Sequence, residues 1–487
     1  MKFDELLAQQ LAQQMALSRR AEQRAWPMPE RGGGLVQSLL RALPFALTTD
    51  QAGCVAEIAL DLQREQPMHR LLQGDVGCGK TVVAALAAAQ AIDNGFQCAL
   101  MAPTDILASQ HLRKLADWLA PLGVHVAWLR GAQSRRERDA ALTAAASGTS
   151  QLVVGTHAVI QDKVNFARLG LAIVDEQHRF GVAQRLSLRA KGGEGGEGTQ
   201  APGTARTGQP VREPHLLMMS ATPIPRTLAM AVFGDLDVST IAHLPPGRSP
   251  VQTRVFSDAR RDAVIARVRE LVAAGRQVYW VCPLVEDSEV LDLRNAEATY
   301  AELQAVLGED AARVGLLHGR LAAARKAQVM ADFAAGRLRL LVATTVIEVG
   351  VDVPAATLMV IEHAERFGLS QLHQLRGRVG RGAEASECLL LFSAPLSELA
   401  RARLQALRDS GDGFVLAQKD LELRGPGELL GQRQSGLQAL RHADLQTDTA
   451  LLDAAREAAI WLLRHDPSAA RQHLQRWLGG RLDWLAA

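Results

Sequence analysis

One eight-residue stretch limits the fold of this chain more than any other feature. Residues 74–81 read Gly-Asp-Val-Gly-Cys-Gly-Lys-Thr, which fits the phosphate-loop pattern GxxxxGK[ST] in full. The apolar run HRLLQ before it is typical of a buried strand, and the run VVAALAAAQA after it is typical of a helix. Glycines allow backbone N–H groups to approach phosphate oxygens, and the helix adds the positive end of its dipole. The stretch therefore predicts an α/β domain that binds a nucleoside triphosphate.

The residue types in this loop indicate how the triphosphate is held. We expect Lys80 to neutralise the β- and γ-phosphates and the Thr81 hydroxyl to bind Mg²⁺. ATP and Mg²⁺ are therefore the predicted cofactors. The other loop residues are predicted to contact the nucleotide, mainly through the backbone: Gly74, Asp75, Val76, Gly77, Cys78 and Gly79.

Two adjacent carboxylates follow another apolar run. The run LAIV ends at Asp175 and Glu176. Asp175 suits coordination of Mg²⁺ through water, and Glu176 suits the base that polarises the attacking water. A lone pair of acids at the end of a strand is more commonly only solvated. This pair follows the phosphate loop by about ninety residues in the same predicted sheet, which favours the catalytic interpretation.

A cluster of arginines lies much further along the chain. Residues 374–381 read QLRGRVGR, and Arg378 and Arg381 are three residues apart. We expect both to project from one face of a helix. There they could stabilise charge on the γ-phosphate from a second domain. An arginine-rich helix on a phosphate backbone or in surface ion pairs would have the same pattern, so the residues alone leave both interpretations open.

Short apolar runs alternate with helical stretches along most of the chain. The first set of predicted strands is His69–Gln73, Cys98–Ala102, Leu152–Gly155, Leu171–Asp175 and Leu216–Ser220. The second set is Gln277–Cys282, Val314–Leu317, Leu338–Ala343 and Leu358–Ile361. Buried parallel strands with crossover helices have this pattern, and such sheets bind ligands at the carboxyl ends of their strands.

The pattern divides the chain into four segments. An amphipathic helix and a glycine-rich joint occupy residues 1–44, and two α/β domains occupy residues 45–245 and 246–400. Residues 401–487 are helical and charged. A low-complexity stretch at residues 192–213 is predicted to be a mobile surface insertion in the first domain.

Charge, cysteine spacing and apolar runs limit the class of protein that this chain can be. The net charge is +2, from 54 basic and 52 acidic residues, which neither supports nor excludes a nucleic-acid partner. The five cysteines form no CxxC pair, which is typical of reduced thiols in a cytoplasmic protein. The sequence has neither a signal-peptide core nor an apolar run long enough for a membrane span. We therefore predict a cytoplasmic protein with no membrane partner.

Taken together, these segments resemble the ordered motif series of superfamily 2 helicases. The segment LTTDQ resembles the motif that reads adenine, with Gln51 as the reader. Ser220-Ala221-Thr222 resembles the motif that couples hydrolysis to movement, and the segment from Thr344 to Asp352 resembles the motif that bridges nucleic acid and nucleotide. The resemblance implies nucleotide contacts by Gly350 and Asp352, and a catalytic role for Gln177 beside Glu176. It implies nucleic-acid contacts by Pro103, Thr104, Thr156, His157 and Thr344.

Three segments narrow the resemblance to the bacterial RecG family. They are DEQHRFG from Asp175, SATPIPRT from Ser220, and the stretch from Gly413 to Gly427 that contains DLELRGPG. The resemblance implies two RecA-like, doubly wound parallel-sheet motor domains, an N-terminal linking helix and a C-terminal helical hairpin region. It also implies that a hairpin and loop convert nucleotide state into steps on duplex DNA. Residues of this chain in that region are Arg408, Arg424, Gln432 and Gln434.

The family resemblance implies an ATP-dependent double-stranded DNA translocase that remodels stalled forks and branched junctions. Double-stranded and branched DNA are the implied partners, a single-stranded DNA-binding protein is a candidate partner, and the expected state is a monomer. RecG proteins carry an N-terminal wedge domain with an OB fold, and this chain begins at a segment similar to the end of the helix that follows it. We therefore expect ATP hydrolysis and duplex binding of this chain, and the resemblance leaves its junction unwinding open.

Two alternatives remain open on the sequence. A transcription-repair coupling translocase has a similar motor and hairpin, but it would need a polymerase-binding domain. A catalytically weak, nucleotide-gated DNA-binding scaffold is the alternative from another class. Lys80, Asp175, Glu176 and the two arginines argue against the scaffold, because a scaffold does not need all five.

Overall fold

The structure is a computed structural model of the chain. The predicted insertion at residues 192–213 lies outside the described residues, except for Arg212 and Glu213. The described residues are 1–131, 133–177, 180, 184, 187–188, 191, 212–222, 236–247, 250–283, 289–344, 353–382, 384–424, 442–443 and 448–479.

The first α/β domain is built on a parallel sheet. The strands in this part of the chain are β1 (Arg24–Ala25), β2 (His69–Gly74), β3 (Gln97–Met101), β4 (Val126–Leu129), β5 (Leu152–Gly155), β6 (Leu169–Val174), β7 (Arg212–Glu213), β8 (His215–Ser220) and β9 (Asp237–Ile241). In the described ranges, seven of them form one sheet in the order β4-β5-β3-β6-β8-β2-β9. All its pairings are parallel, and β1 pairs only with β7.

The α-helices described in this part of the chain are α1 (Lys2–Glu22), α2 (Leu35–Ala42), α3 (Thr49–Leu62), α4 (Lys80–Asp93), α5 (Asp105–Leu119) and α6 (Arg135–Ser147). Three of them, α3, α5 and α6, follow a residue whose side chain caps the helix. The Thr48 and Gln51 side chains form a capping box at the start of α3, which satisfies N–H groups that the first turn leaves free. Because its buried positions are mostly alanine and valine, α4 can lie close to the strands on either side.

The second α/β domain repeats this architecture. Its strands are β10 (Val251–Ser257), β11 (Gln277–Val281), β12 (Val314–Leu317), β13 (Leu340–Ala343), β14 (Ala356–Ile361) and β15 (Ser386–Phe392). Its helices are α7 (Arg261–Ala273), α8 (Glu289–Leu307), α9 (Ala323–Ala334) and α10 (Leu369–Arg376). The described strands form a parallel sheet in the order β10-β15-β14-β11-β13-β12.

The two ends of the chain pack against each other. The C-terminal helices are α11 (Glu398–Asp409), α12 (Gly413–Arg424), α13 (Thr449–His465) and α14 (Pro467–Leu478). Leu6 and Leu11 of α1 share one apolar core with Ala455 and Ala459 of α13 and with Leu474 of α14. Across the described residues, no helix combines the length and apolar character that a membrane span requires.

The predicted fold class, two doubly wound parallel-sheet domains with helical ends, is confirmed. Each predicted strand corresponds to an observed strand whose ends differ by at most two residues. Among the described strands, six were not predicted, namely β1, β4, β7, β9, β10 and β15. Two of them, β9 and β10, are edge strands in which polar residues interrupt the apolar run by which a buried strand is recognised, and β1 and β7 have two residues each. The predicted boundary near residue 245 lies between β9 and β10.

Truncating a buried leucine of α1 tests the packing of the chain ends. Leu6 is fully buried, and Leu6→Ala is expected to cost about 2–5 kcal/mol of packing free energy. Because a chain with several domains does not unfold in two states, hydrogen exchange of the α1 amides is the suitable measurement. We expect exchange to accelerate by at least about 30-fold, which corresponds to about 2 kcal/mol. Leu60→Ala, at a leucine that is 60% exposed, is the control. Equal exchange in the two variants would contradict this packing.

Candidate functional site

The phosphate loop connects β2 to α4 in the conformation that its glycines allow. Gly77 and Gly79 have φ values of 81° and 96°, in the left-handed region that glycine adopts without strain. Lys80 is the first residue of α4, and its ammonium group donates to the carbonyl oxygens of Gly74 and Asp75 at 2.7 and 3.1 Å. The lysine charge therefore lies inside the loop where phosphates are predicted to bind.

Gln51 braces the phosphate loop from α3. Its side-chain amide donates to the Cys78 carbonyl oxygen at 2.8 Å and accepts from the Thr48 N–H at 2.9 Å. A primary amide has two donors and an oxygen with two lone pairs, so one N–H and one lone pair remain for a nucleotide base. The adenine contact of Gln51 stays a prediction, since no base is present to test it.

The two predicted acids lie at the end of β6 and differ in their protonation. Burial opposes ionisation of Asp175, but His111 and the Lys80 ammonium group outweigh it and lower the pKa of Asp175. Burial raises the pKa of Glu176, and the negative charge of Asp175 raises it further. The charges of Lys80 and Arg378 offset only part of that rise. Asp175 is therefore the readily ionised acid, as a metal ligand must be, and Glu176 is the more basic carboxylate of the pair.

The backbone at Glu176 is unusual. Its φ is 51°, a left-handed conformation that is uncommon for a residue with a side chain. Its carboxylate accepts a hydrogen bond from the Ala221 N–H, which connects it to the Ser220-Ala221-Thr222 motif. The Ser220 hydroxyl lies 2.9 Å from the Thr222 hydroxyl, so this motif is itself internally bonded.

The donor set around these acids fits a magnesium nucleotide. Thr81 is the second residue of α4, directly after Lys80, and Asp175 directly follows β6, which β8 separates from β2 in the sheet. A hydroxyl and a carboxylate are hard oxygen ligands of the kind that Mg²⁺ prefers beside phosphates. Gln177 is buried, and its side-chain oxygen has no hydrogen-bond partner among the described residues. That oxygen can accept from a water or a nucleotide hydroxyl.

The helical placement predicted for the two arginines is wrong. Helix α10 ends at Arg376, and Gly377 is its C-cap, so Arg378 and Arg381 lie in the turn that follows. Gly380, between the two arginines, adopts a φ of 75°, a left-handed conformation that a right-handed helix does not contain, so the two arginines do not share a helical face. The Arg381 guanidinium donates to the Gly377 carbonyl oxygen at 3.1 Å. Buried Arg378 nevertheless lies close enough to Glu176 for its charge to act there.

Two residues that the sequence interpretation missed connect the domains. His373 of α10 lies 2.6 Å from the Asp75 carboxylate of the phosphate loop, and its other ring nitrogen lies 2.8 Å from the Arg376 guanidinium. Arginine has no acceptor, so the imidazole must accept from Arg376 and donate to Asp75. Burial opposes ionisation of Asp75, but this hydrogen bond, the Val76 N–H and the Lys80 charge lower its pKa. His373 and Arg376 lie beside and in the arginine-rich segment, respectively. That segment was the feature of the sequence that could have identified them.

Arg376 extends this contact to the C-terminal helices. It is buried and donates to the carbonyl oxygens of Leu407 and Ser410, each at 2.7 Å. Gly413, which begins α12, has no room for a side chain, because a Cβ atom there would lie 2.8 Å from His373 Nε2 and 3.1 Å from Asp75 Cγ. The phosphate loop, the second domain and the helices after it therefore meet at one place.

The predicted nucleic-acid contacts are distributed over both domains. Thr104, after Pro103, caps α5 by accepting from the Leu107 N–H at 3.4 Å. Thr156 precedes a short 3₁₀ turn that begins at exposed His157. Thr344 directly follows β13 and is buried, and its hydroxyl has no partner in the described part of the chain. Their contacts with DNA stay predictions.

The remaining predicted site residues are only partly described by the structure. Arg408 is exposed in the last turn of α11 and pairs with the Asp409 carboxylate at 2.8 Å. Arg424 ends α12, and its side chain is not among the described groups. The predicted residues outside the described ranges are Gly350, Asp352, Gln432 and Gln434.

Comparison with known families identifies the class of motor. Residues 48–231 match the DEAD/DEAH box helicase family, and residues 263–383 match the helicase conserved C-terminal domain. These ranges carry the phosphate loop with its acids and the arginine-rich turn, respectively. The two α/β domains are therefore those of an ATP-dependent helicase.

The remaining similarity identifies the family. Residues 410–478 match the family of the ATP-dependent DNA helicase RecG, domain 3, C-terminal. The ATP-dependent DNA helicase RecG of Acidithiobacillus ferridurans is 52% identical over 482 residues, which cover 99% of this chain and 67% of that protein. The protein of the same name from Escherichia coli (strain K12) is 53% identical over 478 residues, with coverages of 98% and 66%. This chain belongs to the RecG family, and the transcription-repair alternative is not favoured.

A solved structure agrees with this assignment. A structure of RecG bound to a three-way DNA junction has a TM-score of 0.72 at 41% identity, and it covers 93% of this chain and 56% of that chain. A structure of Dbp5 from S. cerevisiae, at 16% identity and a TM-score of 0.55, shares the fold only. The chain spans about two thirds of the length of the curated relatives it matches.

Closure of the ATP site can be tested at Gly377, where the second domain approaches the phosphate loop. A Cβ atom on Gly377 would lie 2.9 Å from Val76 Cβ, whereas carbon atoms pack at about 3.5–4.0 Å. Gly377→Ala is therefore expected to hold the domains apart and to misplace neighbouring Arg378 by up to about 1 Å. Such an error costs on the order of 10²-fold in rate, so we expect that loss in kcat for ATP hydrolysis.

The matched control is Gly53→Ala, at a helical glycine whose added Cβ would meet nothing within 4 Å. This variant should hydrolyse ATP at the rate of the unmodified chain. A Gly377→Ala variant that is equally active would show that the contact with Val76 is not needed for catalysis.

Proposed function

We propose that this chain is the motor of an ATP-dependent double-stranded DNA translocase that remodels branched DNA, including stalled replication forks. The observation that carries the proposal is an ATP site built from both α/β domains, in a chain 52% identical to a RecG protein. A related RecG structure holds a three-way DNA junction, and DNA of that kind is the proposed partner. The single-stranded DNA-binding protein stays a candidate partner on the family resemblance alone.

The residues of the site divide the chemistry between them. The loop from Gly74 to Thr81 would hold the phosphates through backbone N–H groups and the Lys80 ammonium. The Thr81 hydroxyl and, through water, Asp175 would hold Mg²⁺, which would neutralise charge on the phosphates. Glu176 would accept the proton of the attacking water, and its raised pKa suits a base. Gln177 would orient that water through its unpaired oxygen.

The second domain would complete the site and convert hydrolysis into movement. Arg378 and Arg381 would stabilise charge on the γ-phosphate when the domains are closed. Loss of that phosphate removes their ligand and allows the domains to separate. Because one chain supplies both halves of the site, a monomer can perform the whole cycle. This supports the predicted monomeric state.

DNA would be held mainly through its phosphates. Thr104 and Thr156 lie in the first domain and Thr344 in the second, so a strand that contacts all three would span the moving parts. Contacts with phosphates are largely independent of sequence, and they weaken steeply with salt because counterions are released on binding.

The central test is stimulation of ATP hydrolysis by DNA. At low salt, a duplex or a three-way junction should increase phosphate release strongly, and single-stranded DNA should increase it less. Between 50 and 200 mM salt the affinity for duplex should fall by about 10³–10⁵-fold, if about 6–10 phosphates are contacted. No stimulation by any of the three DNAs would contradict the proposal and favour a nucleotide-gated scaffold.

A variant of the proposed base separates binding from catalysis. Glu176→Gln keeps the shape of the side chain but removes its basicity, so hydrolysis should fall by about 10²–10⁴-fold. Binding of a fluorescent ATP analogue should persist. Glu30→Gln, the same change at an exposed glutamate of the joint, should leave both unchanged. Full hydrolysis by Glu176→Gln would remove Glu176 from its proposed role.

A further inference from the structure

A buried histidine contacts the acid that is proposed to bind Mg²⁺. His111 lies in the middle of α5, and its Nε2 is 2.7 Å from Asp175 Oδ2. Both side chains are about nine-tenths buried. An ionised carboxylate can only accept a hydrogen bond, so Nε2 carries the proton and donates it to Oδ2. Phosphate-loop patterns and acid pairs give no indication of this residue, which lies 64 positions before Asp175 in the chain.

The bond restricts a side chain that would otherwise turn freely. The terminal torsion of an aspartate is broad, because the carboxylate is planar and roughly two-fold symmetric about its last bond. Oδ2 is held by His111, and the Asp175 N–H donates to the Met101 carbonyl oxygen at 2.8 Å. The backbone and one carboxylate oxygen are therefore both fixed, and the orientation of the other oxygen follows from them.

The helix that carries His111 also contacts two other functional regions. It follows Thr104, a predicted DNA contact, whose side chain caps the helix. Ile106, in its first turn, packs against the apolar core of the second α/β domain. His111 follows Thr104 by about two helical turns, on the buried stripe between Leu107 and Leu115. Movement of α5 would therefore reach the Asp175 carboxylate directly.

A simpler interpretation is that His111 is only a core residue whose polar atom is satisfied. Such a position favours an apolar residue, because burying a polar group costs free energy unless it is bonded. Leu107 and Leu115, one turn before and after, show that apolar side chains fit this stripe. The hydrogen bond of this imidazole goes to Asp175, whose ionised form a metal requires.

We propose that His111 is a positioning residue that orients the Asp175 carboxylate for Mg²⁺. The proposal rests on the proposed function, in which Asp175 binds the metal of the nucleotide. Histidine would not touch the metal or ATP; it would hold one oxygen of Asp175 so that the other faces the Thr81 hydroxyl and the phosphates. Residues that orient metal ligands in this way typically contribute about 10–100-fold to metal affinity.

The test compares His111→Ala and His111→Gln with the unmodified chain. The glutamine amide can place an N–H near the position of Nε2, so His111→Gln should restore part of the function. His125→Ala is the matched control, since His125 is an exposed histidine of the same domain. Two quantities are measured: the Kd of a fluorescent ADP analogue in Mg²⁺ and in EDTA, and the Mg²⁺ concentration that gives half-maximal ATP hydrolysis.

We expect His111→Ala to raise the half-maximal Mg²⁺ concentration by about 10–100-fold. It should weaken ADP binding in Mg²⁺ but leave binding in EDTA unchanged, with His111→Gln between it and the unmodified chain. Mg²⁺ dependence within twofold of the unmodified chain in both variants would overturn the proposal. Equal losses in Mg²⁺ and in EDTA would also overturn it, because His111 would then only support the fold. If His111→Ala does not fold, His111→Gln decides by the same comparison.

The test of His111 and the test of the proposed function can fail independently of each other. The ADP measurement needs no DNA, so it reports on His111 even if DNA fails to stimulate hydrolysis. A chain with normal stimulation by DNA and unaltered Mg²⁺ dependence in both variants would refute the role of His111 alone.

Discussion

The hydrogen bond between Asp75 and His373 joins the phosphate loop to the second α/β domain, and the remaining contacts of the ATP site depend on that approach. Arg376 holds the imidazole from its other side, so the donor direction is fixed. A hydrogen bond to a charged group contributes about 1.5–3 kcal/mol, which favours the closed arrangement by about 10- to 150-fold. An interaction of this size holds the domains together without locking them, as a cycle of closing and opening requires.

Within the closed arrangement, the two acids at the end of β6 acquire different properties from their surroundings. Burial acts against the charge of both. Asp175 has His111 and the Lys80 charge to stabilise its ionised form, whereas Glu176 has the adjacent Asp175 charge against it. Two neighbouring carboxylates are thus suited to two different proposed roles, metal ligand and base, by their partners rather than by their residue types. His111, which contributes most to lowering the pKa of Asp175, lies on α5.

The sequence predicted the features that one continuous segment forms. It did not predict the contacts between residues that are distant in the chain. The phosphate loop and the buried strands were recognisable because a continuous apolar run or a glycine pattern identifies them. β15 contains the apolar run CLLLF, which is the same signal, although it is not among the predicted strands. Arg378 and Arg381 were recognised, but their helical placement was wrong because the helix ends at Arg376 and Gly380 adopts a left-handed conformation between them. The hydrogen bond between Asp75 and His373 joins residues 298 positions apart, and no local sequence pattern indicates such a pair.

The same contact has a consequence for the C-terminal helices. Helix α12 begins at Gly413 against Asp75 and His373, and it ends near the core shared by the two chain ends. Along its length, Leu416 packs in the core of the second domain, Asp420 accepts a hydrogen bond from the Ser370 hydroxyl, and Leu421 packs against the terminal helices. A helix of twelve residues is about 18 Å long and resists bending. A shift of the phosphate loop that moves the first turn of α12 must therefore displace its last turn as well. That last turn carries Arg424, so the segment predicted to contact duplex DNA is mechanically connected to the site of ATP hydrolysis.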